Sequence, residues 1–128
     1  MEYQDYVNQA QQAARLVEKG DRSAALRSFQ ELLKRDISDL DKSYICQNLA
    51  IISEQDGQLE QALHWYDRGI NYEKPHLRFQ VYENKAGFLL RLGKQDEAKR
   101  IYQNLLKKNF LTEEAKFRIG QYLVQLNG

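Results

Sequence analysis

The chain has little of what usually announces a chemistry. Cysteine occurs once, at Cys46, so no internal disulfide can form, and a reducing compartment, the cytoplasm, is expected. One proline and seven glycines in 128 residues are too few for a collagen-like or low-complexity chain. Nineteen basic against eighteen acidic residues leave a formal charge of +1, so no global field recommends nucleic acid or an anionic membrane, and charge-based recognition has to be local. No run of about 18 apolar residues occurs. The amino end, "MEYQDYVNQAQQAARLVEKG", is polar where a signal peptide is basic and then apolar, so a soluble chain with no membrane partner is expected. The two histidines, His64 and His76, have no cysteine or acidic partner at ligand spacing and are read as surface residues, with no metal site. No strand is predicted, so no glycine-rich phosphate loop follows one, and no cofactor is expected. Cys46, beside Ile45 and Leu49, reads as a buried structural thiol rather than a nucleophile. No catalytic constellation remains, and the chain is expected not to be an enzyme.

What the sequence does contain is self-similarity. In "AGFLLRLGKQDEAKRIYQNLL", Gly93 interrupts a helical pattern at a cost of about 1 kcal/mol, unless it ends one helix and turns into the next. The same event recurs. Gly20, Gly57 and Gly93 are each followed five residues later by Ala25, Ala62 and Ala98, and four residues further on by Phe29, Tyr66 and Tyr102. Seven residues before each glycine stands Ala13, Ala50 or Ala86, and "AKFRIGQYLVQLNG" repeats the first half once more, with Gly120 at the small position and Asn127 at the turn. The offsets are 37, 36 and 34 residues. A small residue lets two antiparallel helices approach closely; glycine accepts the left-handed corner; the alanine and the ring four residues on share one face of the second helix. The pattern predicts seven helices, near 2–19, 21–35, 39–56, 58–73, 76–92, 95–109 and 112–126. Ser38 ahead of Asp41, and Thr112 ahead of Glu113 and Glu114, mark two helix starts. The expected core is Leu16, Leu26, Phe29, Leu33, Leu49, Leu63, Tyr66, Ile70, Leu89, Ile101, Tyr102, Leu105, Ile119 and Leu123. Trp65 is expected to be partly buried against a neighbouring helix.

These residues resemble the tetratricopeptide repeat family, whose unit is a helix-turn-helix of about 34 residues with this small, glycine, alanine, aromatic order. The resemblance covers residues 6 to 127, with "YENKAGFLLRLGKQDEAKRIYQNLL" its best-matching unit and "QNLAIISEQDGQLEQALHWYDRGI" close behind. The family's frequent proline after the second helix is missing from units one and three, and Pro75 falls one place late in unit two. The linkers "RDISDLDKS" and "NYEKPHLRF" are long, which predicts an extended helix end or loop at each. The resemblance implies an all-α right-handed superhelical solenoid of antiparallel hairpins. It would be a single domain over 1–128, with units near 6–39, 43–76 and 79–110 and a capping helix at 112–126. Helical-hairpin repeats of about 35 to 40 residues are the rival fold.

In this family the first helix of each unit lines a concave groove. Carried over by register, the lining takes in Val7, Ala10, Ala14 and Val17, then Tyr44, Gln47, Asn48, Ile51 and Glu54, then Gln80, Glu83, Asn84, Gly87 and Arg91, and finally Phe117 and Arg118. The family's carboxylate-gripping positions hold Ala10, Ala14, Asn48, Gln80 and Asn84 here, so only Asn48 matches and a chaperone-tail docking role is not expected. Asn48 and Asn84, 36 residues apart at one register position, offer the donor and acceptor pairs that hold an extended backbone. The resulting expectation is a non-enzymatic module that binds a peptide segment of a partner protein. Two alternatives stay open: a self-assembling scaffold that would form a homo-oligomer, and a regulatory part of a larger protein. An RNA-reading repeat is disfavoured by the near-neutral charge and the lack of a basic stripe along successive first helices.

Overall fold

The computed structural model describes residues 2–127. Seven α-helices follow one another: α1 (Tyr3–Glu18), α2 (Arg22–Leu33), α3 (Asp39–Gln55), α4 (Leu59–Glu73), α5 (Gln80–Arg91), α6 (Gln95–Leu106) and α7 (Glu113–Asn127), with a short 3-10 turn at Lys74–His76. Among the described residues there is no strand. The chain divides into two compact units, residues 1–76 and 77–128. In the first, α1 packs on α2, α2 on α3 and α3 on α4; in the second, α5 packs on α6 and α6 on α7.

All three corner glycines are left-handed, with φ of 83° at Gly20, 74° at Gly57 and 78° at Gly93. Each builds the same two backbone bonds. The glycine N–H reaches a carbonyl three residues back, and the next N–H reaches one five residues back: Asp21 to Leu16 at 2.9 Å, Gln58 to Ser53 at 2.8 Å, and Lys94 to Leu89 at 2.8 Å. This pairing satisfies the carbonyls that a helix end leaves open. The residue after each glycine then serves as the amino cap of the next helix, so each corner spans only three residues between helices.

The nine repeated positions are all buried. The six alanines at positions 13, 25, 50, 62, 86 and 98 show no exposure, and Phe29, Tyr66 and Tyr102 show at most 3%. The alanines allow the helices of a hairpin to meet closely and the rings fill the space between helices, which is how a short hairpin reaches close packing. Ser38 and Thr112 cap α3 and α7, accepting bonds from the backbone N–H of Asp41 and Ala115 at 3.1 Å each. Asp21 caps α2 in the same way through Ala24 at 3.2 Å.

Three expectations need correction. Leu63 is 37% exposed, because the stripe that packs α4 runs through Ala62, Trp65, Tyr66 and Gly69, and Leu63 lies about 100° around the helix from Ala62. Helix α5 starts at Gln80 rather than near 76. Pro75 has no N–H to continue the α4 ladder, the chain tightens into the 3-10 turn, and Leu77 takes a left-handed φ of 57°. Helix α6 stops at Leu106, so residues 107–109 belong to the turn before Thr112. Trp65 is buried more deeply than expected, with the Arg68 guanidinium 5.0 Å from its ring centre.

Candidate functional site

Helix α3 has two unlike faces. Ile45, Cys46, Leu49 and Ile52 are buried, while Asp41, Tyr44, Asn48 and Ile51, spaced three or four apart, fall on one open stripe. Tyr44 is 51% exposed and Ile51 37%, two large side chains left in water two turns apart. Asn48 stands between them and donates one amide N–H to the Tyr44 carbonyl at 3.0 Å, which fixes the carboxamide against its own helix. One of the two amide hydrogens is thereby engaged within the helix. On α1, Val7, Ala10 and Val17 are half-buried and Ala14 is exposed, an apolar floor with little side-chain relief.

Gln47 does not belong to this stripe. It is 9% exposed, because position 47 follows Cys46 on the packed side of α3.

In the second unit, Gln80 and Arg91 are exposed on α5, and Glu83, Asn84 and Gly87 are half-buried. The structure brings Glu83 and Arg118 together: Arg118 donates Nε and Nη2 bonds of 2.9 and 2.7 Å to the two Glu83 oxygens. This two-pronged pair ties α5 to α7. The bond from Glu83 holds the Arg118 guanidinium above its already high range, although partial burial works the other way. Both groups are thus already matched to each other and do not form an open anion clamp. Tyr82 and Asn104 tie α5 to α6 through a 2.9 Å bond. On α7, Phe117 is 70% exposed and Val124 64%, on one face seven residues apart.

Cys46 has no exposed surface, and burial pushes its thiol up to about 11, well above neutral pH. His64 and His76 are exposed, but His76 is not isolated: its Nε2 lies 3.0 Å from the Asp39 carboxylate, joining the 3-10 turn to the start of α3. Among the described residues, no group of three His, Cys, Asp or Glu side chains is placed to hold a metal ion. No described helix is long and apolar enough to cross a membrane. One contact had no register signal at all. Tyr6 is buried on α1, where burial first and then the nearby Asp41 carboxylate of α3 push its hydroxyl above the usual tyrosine range, and the only hint was the pair of tyrosines three apart in "EYQDYV".

Known proteins are similar to this chain in fold and in sequence. A solved tetratricopeptide repeat protein from Parabacteroides merdae ATCC 43184 superposes with a TM-score of 0.69 at 26% identity, over 97% of this chain and 48% of that one. Photosystem I assembly protein Ycf3 of Prochlorococcus marinus strain MIT 9313 is 30% identical over 109 residues, 81% of this chain and 62% of the relative. Its counterpart in strain MIT 9303 is 29% identical over the same shares. The chain therefore spans about three-fifths of the length of these relatives and about half of the solved neighbour. The fold is all-α and of the tetratricopeptide repeat type. A family model described as "Domain of unknown function (DUF6340)" matches residues 11–108, and the chain belongs to that family.

Proposed function

We propose that the chain is a non-enzymatic protein-interaction module that takes a segment of a partner protein along the open face of α3, beside the apolar floor of α1. The observation that supports this reading is the α3 stripe: Tyr44 and Ile51 exposed two turns apart with Asn48 between them, on a helix whose other face is fully packed. Exposed apolar groups in a row gain free energy when a partner covers them, and a partly bonded carboxamide adds backbone recognition at modest strength. The relatives named as assembly proteins are consistent with a role in holding a partner polypeptide rather than transforming it. In the second unit the corresponding residues of the proposed surface are Gln80, Asn84, Arg91 and Phe117.

The test uses a photo-crosslinking residue at Tyr44 and, as a control on another helix, at the exposed Gln30. The expected result is that one partner is captured from Tyr44 and not from Gln30. A peptide copied from the crosslinked segment then binds the parent more tightly than Asn48→Ala by about 1 kcal/mol. Equal capture from both positions, or unchanged binding by Tyr44→Ala and Asn48→Ala together, refutes the assignment.

A second reading rests on α7. Phe117 and Val124 form an exposed apolar pair whose spacing suits self-association. Sedimentation velocity decides it: a concentration-dependent dimer abolished by Phe117→Glu supports a scaffold, and a monomer at high concentration removes it.

A further inference from the structure

The amino-terminal end of the first unit contains a cavity that the groove register does not include. Tyr3 and Tyr6, one turn apart on α1, line it together with Asp36, Ile37, Ser38 and Asp41, and its volume is about 310 Å³. The tyrosine rings are 6.1 Å apart between centres and tilted by 40°, so their faces are not stacked against each other. Tyr3 is 71% exposed, while Tyr6 is buried. The lining holds two carboxylates and no lysine, arginine or histidine.

We propose that this cavity receives an arginine side chain from the partner, the guanidinium lying on the exposed Tyr3 ring and bonding to the carboxylates of Asp36 and Asp41. The proposal rests on the protein-interaction reading above and names the chemistry of one recognised residue.

Three features favour this ligand over others. Aromatic faces carry negative potential and attract cations, more so where water is partly excluded. Guanidinium is planar, so it can lie on a ring and present N–H groups to a carboxylate in the same pose, whereas an ammonium is a compact point charge. An anion is turned away by the two aspartates, and the amino end of α3 that would otherwise attract one is already capped, since Ser38 Oγ accepts the Asp41 N–H at 3.1 Å. A volume of about 310 Å³ is at the lower limit of ligand clefts, the scale of one side chain with its neighbours.

The position predicts a motif. Asp41 and Ile51 are ten residues apart on α3, roughly 15 Å at the helical rise. An extended peptide covers that span in about four to five residues. A partner segment on α3 therefore carries an arginine four or five residues from an apolar residue that meets Ile51.

The experiment is an amide NMR titration of the full chain with N-acetyl-arginine methylamide, and with the citrulline analogue, which keeps the shape and removes the charge. The expected result is saturable shifts at residues 3–7 and 36–41 for the arginine probe. Apparent affinity should be at least fivefold weaker for citrulline, for Asp36→Asn and for Tyr3→Ala, and weaker again on raising salt. Asp36 and Tyr3 are exposed, so the rest of the spectrum shows directly that these variants fold. Equal shifts with both probes, or full arginine response in the double variant, overturn the proposal. The outcome is separate from the Tyr44 crosslink. A failed arginine titration with a retained crosslink removes only the cation site; a positive titration with no crosslink leaves the cavity and removes the α3 face.

Discussion

Gly93 and Gly120 make a matched pair of substitutions in which only the backbone differs. A Cβ built on either glycine meets no atom within 4 Å, so alanine adds no clash at either place. Gly93, however, has φ of 78°, while Gly120 lies inside α7 with no positive φ. At Gly93 a side chain in the left-handed region costs about 1–2 kcal/mol, and the smaller freedom of the unfolded chain returns about 0.4–1 kcal/mol. Gly93→Ala is thus expected to destabilise by about 1 kcal/mol, and Gly93→Val by roughly 1–2 kcal/mol. At Gly120 the helical conformation suits alanine, and Gly120→Ala is expected to stabilise by about 1 kcal/mol. The assay is urea unfolding followed by circular dichroism at a fixed temperature, with the slope against denaturant unchanged, so that midpoint differences report stability. The two midpoints move in opposite directions. If they move together, or if Gly93→Ala unfolds at or above the parent midpoint, the corner geometry is wrong and the repeat reading built on it fails.

Other outcomes follow from the packing. Tyr66→Ala and Tyr102→Ala each remove a fully packed ring and are expected to cost about 3 kcal/mol or more, measured by the same unfolding assay. Lys94 stands at the amino cap of α6 without a side-chain bond and with its charge opposed to the helix dipole, whereas Asp21 caps α2 at the equivalent corner. Lys94→Asp is therefore expected to stabilise by about 1 kcal/mol, and an unchanged or lower melting temperature counts against it. Cys46 has its folded pKa raised from 9.0 to about 11, so its contribution is fully present below pH 9 and is lost as pH rises toward 11. The loss is on the order of 2–3 kcal/mol. Cys46→Ala should flatten the stability profile in that window, and a thiol reagent at neutral pH should label the parent only after unfolding. Glu83→Gln breaks the charge of the α5–α7 tie, and because Arg118 is partly exposed the expected cost is about 1 kcal/mol or less, diminishing with added salt.

The helical hairpins were legible in the sequence because their causes are local. A left-handed corner selects glycine wherever it occurs, and a close helix crossing selects alanine. The nine repeated positions could therefore be read from spacing alone, and all nine are buried. The caps at Ser38 and Thr112 were legible for the same reason, since each side chain reaches an N–H only three residues away. The placing of Tyr44, Gln47, Asn48 and Ile51 in a groove came from the register of the family resemblance, which could not foresee that Asn48 bonds back to the Tyr44 carbonyl.

What only the tertiary structure decided involves partners far apart in the chain. Glu83 and Arg118 are 35 residues apart, His76 and Asp39 are 37 apart, and Tyr6 meets Asp41 across α1 and α3. Register arithmetic assigned Glu83, Arg118 and Gln47 to a binding surface, but the pairing of the first two and the burial of the third depend on which helix lies alongside. The exposure of Leu63 and the late start of α5 belong here too, since a rotation of about 100° or a single non-bonding proline changes a residue's surroundings without changing the repeat. Sequence periodicity determines which side of a helix is apolar; the identity of the atoms that meet it is determined only when the helices pack, because that depends on distances between residues the chain itself does not hold together.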